Sequence, residues 1–141
     1  MPESANLMEA VGQAKLDMTR TVEVRPGTTI TVRPLSKEEW RRMRKRVRKV
    51  KGSEAVREDA AEAAITDLLA SAVVGWDNMT SKVVGQLIPV DTSKLPEQIP
   101  YTKQNVFALL WHSSEFYNLV NNETEDLAAF AEEDEESARG N

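Results

Sequence analysis

Two short runs alternate apolar and polar residues, Thr21-Val22-Glu23-Val24-Arg25 and Thr29-Ile30-Thr31-Val32-Arg33, on either side of Pro26-Gly27. Proline presets φ for the second position of a turn and glycine accepts the positive φ of the third, so the pattern predicts a β-hairpin closed by a type II turn. Val22, Val24, Ile30 and Val32 would line one of its faces. A lone hairpin is marginal in water, so the rest of the chain has to cover that face. The remaining apolar pattern is helical. The expected fold class is therefore α+β, mainly α-helical, with an N-terminal β-hairpin followed by about four helices and a disordered acidic C-terminal tail.

Ser36-Lys37-Glu38-Glu39 reads as a capping box, and Trp40, Met43, Val47 and Val50 follow at spacings of three, four and three, a narrow apolar stripe. Gly52 ends this helix, and Ser53 caps a second one from Glu54 to about Val74, closed by Gly75 in a left-handed cap. Residues 77–100 read as a long connection with Pro89, Pro96 and Pro100 and an apolar patch, Val83 to Val90, that can add a short strand. Thr102 caps a third helix carrying Val106, Phe107, Leu109, Leu110 and Trp111. Ser113 or Ser114 opens a fourth with Phe116, Leu119 and Val120, and Thr124 caps a last turn or two that ends at Phe130. In 141 residues this makes a flexible segment at 1–20, one globular domain at 21–130 and an acidic tail at 131–141 expected to be disordered.

Several chemistries are excluded by residue type. The chain has no cysteine and one histidine, His112, which removes disulfides, thiolate metal sites, cysteine nucleophiles and histidine-rich metal clusters. No glycine-rich phosphate loop occurs. His112 stands beside Ser113 and Ser114, but neighbours at a helix edge do not face each other and no acid completes a triad. The carboxylates form a run rather than a spaced pair. No enzymatic activity, cofactor or metal is expected. The start, Met1-Pro2-Glu3-Ser4, lacks a basic targeting region, and the most apolar stretch, Ala60 to Trp76, is interrupted by Glu62, Thr66 and Asp67, so no membrane association is expected.

Charge is unevenly placed. Nine basic residues lie between Lys37 and Lys51 against two acidic ones, and eight acidic residues lie between Glu123 and Glu136 with no basic one. The formal net charge is −5 and the pI about 5.0. A cationic helix can bind a phosphate backbone by releasing counterions. Against this stand the acidic pI and the lack of aromatics interleaved with the cations, as base stacking would need. The favoured reading is a solvated electrostatic surface, represented by Arg41, Arg44, Lys45 and Arg48, whose charges meet acidic groups of the same chain or of a second copy. Seven of the eight aromatics, from Trp76 to Phe130, lie in the second half; most belong to the core, and a subset can form a groove for an apolar helical ligand.

One arrangement carries a resemblance. Val73-Val74-Gly75-Trp76, a proline-containing connection, Ile99-Pro100-Tyr101-Thr102 with Asn105-Val106 and Leu109-Leu110, then Glu115-Phe116-Tyr117 with Leu119-Val120, resembles the tail assembly chaperones of long-tailed, siphovirus-type bacteriophages. The connection after Trp76 departs from the brief acidic turn frequent in that family, being longer and carrying Val83-Val84-Gly85-Gln86-Leu87-Ile88. The resemblance implies a non-enzymatic chaperone of virion morphogenesis. It would bind and solubilise the tape measure protein, help recruit tail tube protein subunits, act in the host bacterial cytoplasm and be absent from the mature virion. Candidate partner-binding residues are the stripe Trp40, Met43, Val47 and Val50, or the region of Trp111 and Phe116. A second copy of the chain is a further candidate partner, whereas nucleic acid and membrane are not expected. The competing reading is a small virion structural or nucleic-acid-binding protein, a head–tail component that uses the arginine-rich helix.

Overall fold

The computed structural model describes residues 18–139, with side chains described over 18–129. The expected flexible segment at 1–20 lies outside this range except for its last three residues. The hairpin forms as the alternation requires. Strand β1 (Arg20–Arg25) pairs antiparallel with β2 (Thr28–Val32), with Val22 opposite Ile30, and Gly27 takes φ of 84° in the turn.

A third strand was not anticipated. The helix expected to reach Val74 stops at Ala72, and Val73–Asp77 forms β3, antiparallel to the free edge of β2 with Ile30 opposite Trp76. The sheet order is β1-β2-β3, so β2 is central. Gly75 is not a left-handed cap; it lies opposite Thr31 in the ladder. The physical reason is a contest that the helix loses. Two β-branched valines and a glycine are weak helix formers, while the open edge of β2 offers unpaired backbone groups to an extended segment. As a central strand, β2 buries Thr28, Ile30 and Val32 and leaves Thr29 and Thr31 half-buried on the outer face.

The helices follow their caps. Helix α1 (Lys37–Arg48) opens with the full capping box: Ser36 Oγ accepts from Glu39 N, and the Glu39 carboxylate accepts from Ser36 N. Gly52, at φ of 138°, makes the reversal into α2 (Glu54–Ala72), capped by Ser53. Residues 83–90 do not add a strand. Capped by Thr80, they begin inside a short helix, α3 (Ser81–Leu87), which buries Val83 and Val84. A 3-10 turn follows at Thr92–Lys94. Helix α4 (Lys103–His112) is capped by Thr102. Helix α5 (Ser114–Arg139) then starts where Ser113 Oγ accepts from Phe116 N.

Helix α5 also corrects the break expected after Val120. Asn121-Asn122 does not interrupt it and Thr124 is not a new cap; the helix spans Ser114–Arg139. Thr124 is buried and its hydroxyl donates to the Asn121 carbonyl within the helix, while Leu127 is buried one turn on. With those anchors in place, the alanines and glutamates that follow extend a helix that is already nucleated.

The core lies between the inner face of the sheet and α2, α4 and α5. Ile30, Val32, Leu69, Val73, Val106, Phe116 and Val120 are all at most 1% exposed. Each contributes roughly 1.5–3 kcal/mol of transfer free energy before the entropy of ordering is counted. Helix α1 packs on α2 from outside this core. A polar clamp holds it there: Arg33 pairs with both oxygens of Glu39 at 3.0 and 2.9 Å and donates to the backbone carbonyls of Ser71 and Pro34. This arginine keeps the Glu39 carboxyl below the usual carboxylate range.

Candidate partner-binding site

An open groove of about 610 Å³ lies between the N-terminal half of α2 and the α4–α5 corner. Its apolar lining comes from Ala61 and Ile65 of α2, Leu110 and Trp111 of α4, and Tyr117 of α5, with Glu58 and Glu62 of α2 along one side. Ser113 creates the shape. By ending α4 and capping α5, it resets the helical phase, so Trp111 turns outward while Phe116 turns into the core. Trp111 is 41% exposed and stacks on Phe107, with ring centroids 5.6 Å apart and planes 13° from parallel. A large aromatic held in place by another ring is a low-entropy contact surface.

Tyr117 adds a polar handle. Burial, then the charges of Glu62 and Glu125, raise its phenol above the ordinary tyrosine range, so the hydroxyl stays neutral. The groove therefore combines an apolar floor, a neutral hydroxyl and an anionic edge. That suits an apolar helix face flanked by cations. No group of three metal-ligating side chains occurs among the described residues.

The residues singled out from sequence fall in different places. Met43 is buried between α1 and α2, Trp40 is half-buried against the core, and Val47 and Val50 are half-buried further along. The stripe is consumed in holding α1 to α2, leaving a smaller concavity of about 250 Å³ beside Met43, Leu68 and Asp67. Phe116 is fully buried and belongs to the core rather than to a contact surface. Of the six apolar candidates, Trp111 alone reaches the groove. Tyr117 was named only as one of seven aromatics of which a subset can form a groove, and Ile65, Glu58 and Glu62 were not singled out as contacts; their common address needs the crossing of α2 with α4 and α5, which spacing within a single helix does not reveal.

The electrostatic surface is where the sequence puts it. Arg41, Arg44, Lys45 and Arg48 are exposed along α1, together with Arg42 and Arg46. Glu38 pairs with Arg41 and Arg42, each at 3.3 Å. Arg44, Lys45, Arg46, Arg48 and Lys49 have no ion pair among the described residues. Of the two expected sources of counter-charge, the same chain or a second copy, an acid of the same chain thus pairs with Arg41 and Arg42 of this face. The acids elsewhere meet other cations: Glu123 pairs with Arg20 at 3.0 Å, Glu115 with Arg25, and Asp67 with Lys103 at 3.2 Å. The Glu115 carboxyl is lowered by Arg25.

The residues that carried the resemblance converge. Trp76 Nε1 donates to the Ile99 carbonyl at 2.9 Å, and Tyr101 Oη donates to the Val73 carbonyl at 2.7 Å. The two rings meet edge to face with centroids 5.7 Å apart. Asn105 Nδ2 donates to the Pro100 carbonyl, and Thr102 accepts from Asn105 N. The cluster fastens the long connection to β3 and sets where α4 begins.

Comparison with known proteins adds one match. A family model described as YdaY prophage protein covers residues 34–141. No curated protein and no solved structure matches the chain. The matched range takes in α1, the groove and the Trp76–Tyr101 cluster, and the chain belongs to the YdaY prophage protein family.

Proposed function

We propose that the chain is a tail assembly chaperone that binds the tape measure protein through the α2/α4–α5 groove, keeps it soluble and helps recruit tail tube subunits. The observation that carries this reading is Trp111, a large aromatic left 41% exposed over an apolar groove in a chain of a prophage family. A tape measure protein is a long amphipathic helical chain, and its chaperone needs a place for one apolar helix face. The groove supplies Ile65, Leu110, Trp111 and Tyr117 for that face and Glu58 and Glu62 for flanking cations. The chaperone acts in the host cytoplasm, performs no bond chemistry and is left behind when the tail is complete.

The test is co-expression with the tape measure protein of the same prophage. Co-purification and a gain in tape measure solubility are expected. Trp111→Glu should weaken the complex at least ~10-fold, in line with buried aromatic anchors, while far-UV circular dichroism of the free chain stays unchanged. Glu58→Lys with Glu62→Lys should weaken it less and make binding less salt-sensitive. A wild-type chain that neither co-purifies with the tape measure protein nor keeps it soluble overturns the proposal.

A further inference from the structure

The groove leaves the other conspicuous surface unexplained. Helix α1 and its C-cap present Arg44, Lys45, Arg46, Arg48 and Lys49 to solvent, and none of them forms an ion pair among the described residues. Pairs such as Arg44/Arg48 and Lys45/Lys49 stand four apart, a spacing at which like charges repel. The helix persists because Met43 is buried, the capping box holds its start, and Arg33–Glu39 clamps its base to α2. A segment of opposite charge would relieve the repulsion at little cost in shape.

The same chain carries such a segment. Helix α5 continues twelve residues past Leu127, to Arg139, and that stretch contains Glu132-Glu133-Asp134-Glu135-Glu136. At 1.5 Å per residue it spans roughly 18 Å, matching the length of the twelve-residue α1. Charge and length are thus complementary. Within one copy, α1 packs on α2, while α5 packs on α4, α2 and β2. The exposed Glu125 and Asp126, at the root of the acidic stretch, form no ion pair with α1.

We infer that the cationic face of α1 in one copy docks the acidic C-terminal stretch of α5 from a second copy. The two surfaces differ, so the contact is heterologous: copies add head to tail, or two exchange stretches reciprocally. This gives the anionic chain a salt-dependent means of self-association that leaves the groove open.

The full chain is followed by sedimentation velocity at ~0.02 M and ~0.5 M salt, where screening lengths differ about fivefold. Concentration-dependent assembly at low salt and monomers at high salt are expected. Arg44→Glu with Arg48→Glu, and separately Glu133→Lys with Glu136→Lys, should each weaken self-association at least ~10-fold without changing the circular dichroism. Mixing the two variants should restore assembly, because each then offers what the other lacks. A wild-type chain that is monomeric at low salt refutes the contact. So does assembly indifferent to both reversals, or failure of the mixture to assemble. If the monomer instead binds an oligonucleotide with a steep salt slope, the α1 surface serves nucleic acid and the inference is wrong.

Discussion

Replacing Tyr101 by phenylalanine separates two accounts of the Gly-Trp and Pro-Tyr-Thr residues. In the structure they are a fastening, with Tyr101 Oη on the Val73 carbonyl and Trp76 Nε1 on the Ile99 carbonyl. Tyr101→Phe keeps the ring and its edge-to-face contact with Trp76 but removes one hydrogen bond of 2.7 Å. The net loss of such a bond is ~0.5–1.5 kcal/mol, and a carbonyl left short of a partner in a part-buried setting adds to it. Val73 is 1% exposed, so water does not readily replace the hydroxyl. The expected cost is ~1–2 kcal/mol, or roughly 3–8 °C in Tm for a domain of this size. Trp76→Phe removes the other bond and some apolar area, for about 2–3 kcal/mol.

Because the two rings touch, the double variant should cost ~0.5–1 kcal/mol less than the two singles added. Urea titrations followed by far-UV circular dichroism read all three, since fluorescence would change with Trp76 itself. A Tyr101→Phe chain within ~0.3 kcal/mol of wild type refutes the fastening. If that variant also lost the tape measure protein, Tyr101 would be a contact residue, consistent with its 44% exposure.

Three further outcomes follow from the core, the clamp and the α1–α2 reversal. Phe116→Ala should destabilise the fold by ~3–5 kcal/mol in the same titration, because a fully buried ring leaves a cavity between α5 and the sheet. Glu39→Gln keeps an acceptor for the capping box but loses the charge that meets Arg33. The folded-state pKa of Glu39 is depressed, so its stabilisation is present above the ordinary carboxylate range and is lost as pH falls through the folded value. The gap between wild type and Glu39→Gln in urea midpoints should therefore be widest near neutrality and close on acidification; a gap independent of pH would remove the charge from the explanation. Gly52→Ala should cost ~1–2 kcal/mol by thermal melt, since φ of 138° is strained for alanine and its Cβ would stand 3.0 Å from Val56 Cγ1.

What could be read from the sequence was what is decided locally. The hairpin turn at Pro26-Gly27 and the caps at Ser36, Ser53 and Thr102 depend on side chains within three residues of the backbone they satisfy, and all are found where the pattern puts them; of the two serines open for the next cap, Ser113 takes the role. Strand β3 depends on β2, some forty residues away, and nothing between Val73 and Asp77 announces that partner. The patch from Val83 is short enough to serve as strand or helix; Thr80 capping it and the burial of Val83 and Val84 choose the helix. Trp111 and Phe116 looked like one site because they are five residues apart, yet the break at Ser113 sends them to opposite sides of a helical corner.

The charges show the same division. Glu38 with Arg41 and Arg42 is a contact at spacings of three and four, readable on a helix. Glu115 and Glu123 instead cross the molecule to Arg25 and Arg20 on β1. Those two acids are thereby used up on the strand edge, so they cannot balance α1. The net charge of −5 therefore hides a cationic helix on which Arg44, Lys45, Arg46 and Arg48 form no ion pair among the described residues. An acidic surface from outside that set is what such a helix can accept, and the next copy of the chain carries one.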